Sequence, residues 1–151
     1  MPSGASISVS GVRNSCETLA KNRVLVAGAI DEARQHAAAA ASAQRAHKCR
    51  RCAAEIGPAL VETAIAGGDL AGADAERSMS LEAAYRLNLP IAIAAMRLAA
   101  GRLMTVRGDT AGAAAEYGAA LGTFERLGPR HLVAETRAAL AETETARPES
   151  A

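Results

Sequence analysis

Gly68 to Leu87 reads GDLAGADAERSMSLEAAYRL, and Gly108 to Leu127 reads GDTAGAAAEYGAALGTFERL. A shift of forty makes ten of the twenty positions identical. Three of those pairs are alanines, which this chain supplies freely. The Gly-Asp start (Gly68-Asp69 and Gly108-Asp109) and the Arg-Leu end (Arg86-Leu87 and Arg126-Leu127) are not composition effects. One step further back, Gly28 and Ala33 keep the same glycine-plus-five spacing with little else. The chain therefore reads as three units, the first diverged and the last two well kept.

Each unit reads as a helical hairpin. The glycine of Gly108-Asp109-Thr110 closes one helix, and Asp109 or Thr110 caps the next. Before it, Met96, Leu98, Ala99, Leu103, Met104 and Val106 recur at spacings of three and four; after it, Ala113, Tyr117, Ala120, Leu121 and Phe124 do the same. Gly128-Pro129 ends that helix and starts another, and Pro90 takes the same starting role one unit earlier. The pattern predicts helices near 14–27, 30–46, 49–66, 70–87, 91–107, 110–127 and 130–146. It groups them as units of about 13–48, 49–88 and 89–128 with a closing helix at 129–146. Gly57-Pro58 falls inside the third helix and predicts a kink or a local break. Residues 1–12 and 147–151 carry Ser, Gly and Pro without an apolar period and read as disordered tails.

Composition agrees with an all-α solenoid of about seven helices. The 151 residues include 39 alanines, but Leu, Ile, Val and Phe total only 27 and there is no Trp. Alanine is the best helix former, whereas strands are built from the β-branched and aromatic residues that are scarce here. The net charge of +1 gives no reason to expect disorder or a dedicated nucleic-acid or membrane-surface protein. No apolar run reaches the roughly 18 residues of a membrane span, and no apolar signal-peptide core follows the N-terminus. Three cysteines are too few, and odd in number, for a disulfide framework, so the expected setting is a reducing cytoplasm.

A hairpin with Gly-Asp at its elbow, alanine five residues after the glycine and an aromatic four later resembles the tetratricopeptide repeat. In the third unit Gly101, Ala113, Tyr117 and Ala120 match its small and large positions, with Met104 where a tyrosine is usual. The second unit departs, with Val61, Ala64 and Arg77 at the glycine, tyrosine and aromatic positions, and a spacing of forty exceeds the usual repeat of about 34. The longer hairpin ending in Phe124-Glu125-Arg126-Leu127-Gly128, followed by Ala134-Glu135-Thr136-Arg137-Ala138-Ala139-Leu140, resembles the C-terminal helical repeats of bacterial LuxR/MalT-type ATPase-linked transcription regulators. Cys49-Arg50-Arg51-Cys52 is similar to a Cys-Pro-Arg-Cys segment of some of those arrays, with Arg50 in place of the proline. The resemblance covers about residues 47 to 142. It implies a sensor-like array detached from its ATPase, since the chain holds no phosphate loop and no appended helix-turn-helix domain, or a non-functional fragment of such a regulator.

The sharpest chemical feature is His47-x-Cys49-x-x-Cys52. Residues three apart share a helix face, so both sulfurs can meet one zinc ion. A structural zinc needs four ligands, however, and only Cys16 and His36 stand as extras. Lys48, Arg50 and Arg51 would lower a nearby thiol pKa and make a redox-active cysteine. The plainer reading is two small residues at a helix start, one facing the core. The basic run from Arg45 to Arg51 complements a helix C-terminus and lacks the aromatics that stack on bases. His36, His47 and His131 are spread along the chain, and no nucleophile elbow or carboxylate pair stands out, so neither catalysis nor a cofactor is expected.

A last pattern concerns binding. Asn22, Glu62, Arg102 and Glu142 recur forty residues apart in the first helix of each unit, and Glu55, Ala95 and Glu135 form a parallel row two turns earlier on the same face. In stacked hairpins the first helices line one side, so these residues predict a mixed, net acidic groove centred on Arg102. Such a groove suits a basic or amphipathic protein or peptide segment. Ordinary solvation of an exposed helix face accounts for the same pattern. The function expected is a protein- or peptide-binding scaffold, with a metal- or redox-sensing site at Cys49 and Cys52 as the alternative.

Overall fold

Residues 30–47, 49–128 and 130–146 are described by the computed structural model, and every regular element among them is an α-helix. In chain order they are α1 (Ile30–His47), α2 (Arg50–Ala66), α3 (Leu70–Arg86), α4 (Pro90–Val106), α5 (Thr110–Leu127) and α6 (Arg130–Thr145). The predicted helix near 14–27, the two tails, Cys16 and Asn22 lie outside the described residues. The six observed helices make an all-α stack of hairpins: α2 packs on α3, α4 on α5, and α6 closes against α5.

The turns explain the regularity. The N–H of Gly68 donates to the Ile65 carbonyl (3.0 Å) and that of Asp69 to Ala64 (2.9 Å). Asn88 and Leu89 repeat these two bonds onto Tyr85 and Ala84, and Gly108 and Asp109 repeat them onto Thr105 and Met104. This is the Schellman closure, which needs one left-handed residue per turn. Gly68 (φ +77°), Asn88 (φ 50°) and Gly108 (φ +80°) supply it. Asp69 and Asp109 then start the next helix, each accepting a 2.8 Å bond from the backbone N–H three residues on, at Gly72 and Gly112. Leu89 has no capping side chain, and Pro90 at the first helical position takes over. The turn within a hairpin and the turn between hairpins are thus one structure recurring every twenty residues. At the turns the sequence shows a period of forty because Asn88 and Leu89 stand where Gly68-Asp69 and Gly108-Asp109 do, and within the helices Ala73, Glu76 and Leu81 also recur only at forty.

Small residues set the crossings. Ala73, Ala84, Ala99, Ala113 and Ala120 are all fully buried, and Ala73 and Ala113 hold equivalent positions of the two units. Val61, Met96 and Leu103 join α2 to α4 around Ala73 of α3, and Leu98, Tyr117, Phe124 and Leu132 join α4, α5 and α6. A Cβ on Gly101 would stand 2.4 Å from Tyr117 Cε1, so that glycine makes room for the ring. The Tyr117 hydroxyl lies 3.1 Å from Thr105 Oγ1, which itself donates to the Gly101 carbonyl (2.9 Å). Gly57 plays a similar part in α2, where a Cβ would come within 2.2 Å of Ser80 Oγ. Of the kink or local break predicted at Gly57-Pro58, the break does not occur. Both residues are buried and α2 runs unbroken through them, so packing on α3 and α4 outweighs the hydrogen bond that proline removes.

Candidate functional site

Helix α4 lies between the other helices, and arginines spaced five apart along it reach in different directions. Arg102 extends one guanidinium nitrogen to Glu62 of α2 and another to Glu135 of α6. Arg97 donates to the Tyr85 hydroxyl of α3 (2.9 Å) and to Glu116 of α5 (3.2 Å). Arg107, just past the helix end, donates to the Leu70 carbonyl (3.2 Å) and stands 3.5 Å from Asp74, both on α3. Four other helices are tied to α4 in this way.

The Arg102 group is half-buried, with side-chain exposures of 29% for Arg102, 17% for Glu62 and 31% for Glu135. Burial pulls the Arg102 pKa down, but the charge of Glu62 and the bond and charge of Glu135 outweigh it, and the net shift is upward. The guanidinium is therefore a permanent cation held by two carboxylates. The Tyr85 hydroxyl raises Arg97, with Glu116 adding to it. The Arg77 hydrogen bond holds Asp74 below the ordinary carboxylate value, and Arg107 adds to that lowering.

The predicted rows are redistributed. Glu62, Arg102 and Glu135 come together, drawn from both rows, where solitary solvated residues were one reading of the pattern. Glu55 is exposed on the same face of α2 and pairs with Arg51 at 2.8 Å. Ala95 is buried in the core between α4, α5 and α6, so the second row is interrupted there. Glu142 is exposed two turns beyond Glu135 on α6. Arg97, Tyr85 and Glu116 do not stand out from sequence. Only the identity of Glu76 with Glu116 hints at them, and the two glutamates take different partners. At the position of Arg97 the preceding unit has Gly57, so Glu76 accepts from Ser80 (2.8 Å).

Cys49 and Cys52 are joined by a disulfide, a single bridge where no disulfide framework is expected. Their Cα atoms are 5.2 Å apart, inside the roughly 4.4–6.8 Å that such a bridge spans. Three residues at a helix start provide that separation without any wider framework. Cys49 is the N-cap of α2, and its sulfur accepts the Cys52 backbone N–H at 3.2 Å. Cys52 is buried against Ala37, Ala40 and Ala43 of α1, while Cys49 is half-buried at the edge of the same cluster. The side chain of His47 lies outside the described residues. Among the described residues no three His, Cys, Asp or Glu side chains are grouped to hold a metal ion, and no helix is long and apolar enough to cross a membrane. Compared with known proteins, the chain matches no family model, no curated protein and no solved structure.

Proposed function

We propose that the chain is a protein- or peptide-binding helical-repeat scaffold, a sensor-like module of the kind its resemblance to LuxR/MalT-type regulators implies, working in the cytoplasm. The observation that carries this reading is the Glu62–Arg102–Glu135 group. It places charged side chains from α2, α4 and α6 in one half-buried strip across the units. Glu55 and Glu142 extend the strip with exposed carboxylates, which suit lysine or arginine on a partner. A partner helix would lay its basic positions along the strip and leave the core untouched.

The test is a nuclear magnetic resonance titration with a lysine-rich amphipathic peptide and with a charge-inverted peptide of equal length. The basic peptide should shift backbone signals around Glu62, Arg102 and Glu135, and the acidic one should not. Glu62→Gln with Glu135→Gln should weaken binding about tenfold or more while the helical circular-dichroism signal stays intact. Equal binding of both peptides, or an unaffected double variant, would overturn the proposal.

A further inference from the structure

We infer that Cys49 and Cys52 form a redox-active dithiol–disulfide centre, able to exchange with an external dithiol. Four observations converge on it. The sulfurs are already bonded across a Cys-x-x-Cys spacing. Cys49 is the N-cap of a 17-residue helix, where unsatisfied backbone N–H groups and the helix dipole favour a negative charge. The Cys52 N–H points at the Cys49 sulfur, a bond that strengthens when the sulfur becomes a thiolate. Arg50 and Arg51 are exposed in the first turn, adding positive charge beside it. The two cysteines also differ in burial: Cys52 is 8% exposed within the α1–α2 core, and Cys49 is half-buried at its edge. Cys49 is thus the sulfur an incoming thiol reaches, and Cys52 the one that resolves.

The exchange balances as two displacements. A thiolate of the external dithiol attacks Cys49 Sγ and forms a mixed disulfide; the Cys49–Cys52 bond breaks, and Cys52 departs as a thiolate that takes up a proton. The second thiol of the partner loses its proton and attacks the partner's own sulfur in that mixed disulfide. Cys49 then leaves as a thiolate, held by the Cys52 N–H and the helix terminus. Two electrons pass from the partner dithiol, which becomes a disulfide, to the protein, which becomes a dithiol. Stabilising the departing Cys49 thiolate favours the reduced protein, so the disulfide acts as an oxidant.

The experiment uses the full chain with Cys16→Ser, so that only this pair reports. After reduction with dithiothreitol and its removal, iodoacetamide at about pH 6.5 should alkylate Cys49 about tenfold faster than it alkylates glutathione, and faster than Cys52. Oxidised glutathione should convert the reduced chain back to the intramolecular disulfide. With Cys52→Ser added, the same reagent should trap a glutathione mixed disulfide at Cys49; with Cys49→Ser in its place, little should be trapped at Cys52. Serine is itself a strong N-cap, so the Cys49→Ser chain is expected to keep α2, checked by circular dichroism. Equal alkylation of the two cysteines, equal trapping in both variants, or failure of glutathione to regenerate the disulfide would each overturn the inference. So would a reduced chain that binds one zinc ion and resists alkylation.

Discussion

Arg102 of α4 and Glu62 of α2 stand one sequence repeat apart and are joined by an ion pair, with Glu135 of α6 on the other side of the same guanidinium. The repeat length thus brings equivalent positions of neighbouring first helices into register. A half-buried arginine between two carboxylates stabilises more than an exposed pair, because less water competes for it.

Replacing Arg102 by Gln should accordingly cost about 1–2 kcal/mol, between the values for exposed and buried pairs. A double-mutant cycle with Glu62→Gln should give a coupling of about 0.5–1.5 kcal/mol. Arg86→Gln removes a pair with Glu82 whose two side chains are 60% and 62% exposed, and should cost well under 1 kcal/mol. Urea unfolding of the parent and the four variants decides it. Equal losses at Arg102 and Arg86 would remove the structural basis for the strip.

Three glycines should answer alanine differently. Gly118 lies within α5 with open space where the first carbon of a side chain would stand, so Gly118→Ala should stabilise by about 0.5–1 kcal/mol. Gly108 also has open space around it, yet its φ of +80° makes Gly108→Ala cost about 1 kcal/mol. Gly101→Ala meets the Tyr117 ring and should cost about 1–3 kcal/mol. Thermal unfolding should rank the variants in that order, and stabilisation by Gly101→Ala would contradict the packing of the Tyr117 ring on that glycine.

Ala113 is fully buried at the α4–α5 crossing, whereas Ala115 is exposed. Ala113→Leu should overpack that crossing and cost about 1–3 kcal/mol. Ala115→Leu should stay within about 0.5 kcal/mol of the parent. Similar losses at both positions would show that α5 turns a different face to α4.

Much of the fold is legible in the sequence because turns and small residues carry local signals. Gly68, Gly108, Asp69 and Asp109 announce helix ends through backbone requirements that few other residues meet. Asn88 is harder to read, since asparagine tolerates a left-handed turn without demanding it. The charged residues are legible only as positions on a face. That Arg102 joins Glu62 and Glu135, and that Glu116 meets Arg97 where Glu76 meets Ser80, depends on the depth and tilt of neighbouring helices. The alternation of Gly57 and Arg97 at one repeat position decides the second case, and periodicity is blind to it. The disulfide escapes a count of cysteines because counting addresses frameworks and not a single bridge at a helix start.

Acid should reveal the ion pairs of α3. Asp74 bonds to Arg77 at 2.9 and 3.0 Å and lies 3.5 Å from Arg107, and its folded pKa falls below the ordinary 3.8. A lowered folded pKa means stability that is present above the unfolded value and lost as pH falls through the folded one. Asp74→Asn, which hardly changes helix propensity, should therefore lower the unfolding temperature at about pH 7 and by the same amount at about pH 5. The gap should shrink below pH 3.8 and vanish once Asp74 is protonated in the folded chain too. Asp74 is 40% exposed, so the gap is small and added salt should narrow it further. Thermal melts of both chains at a series of pH values measure this directly. A gap that persists undiminished at about pH 2 would mean that the substitution acts through packing and not through charge.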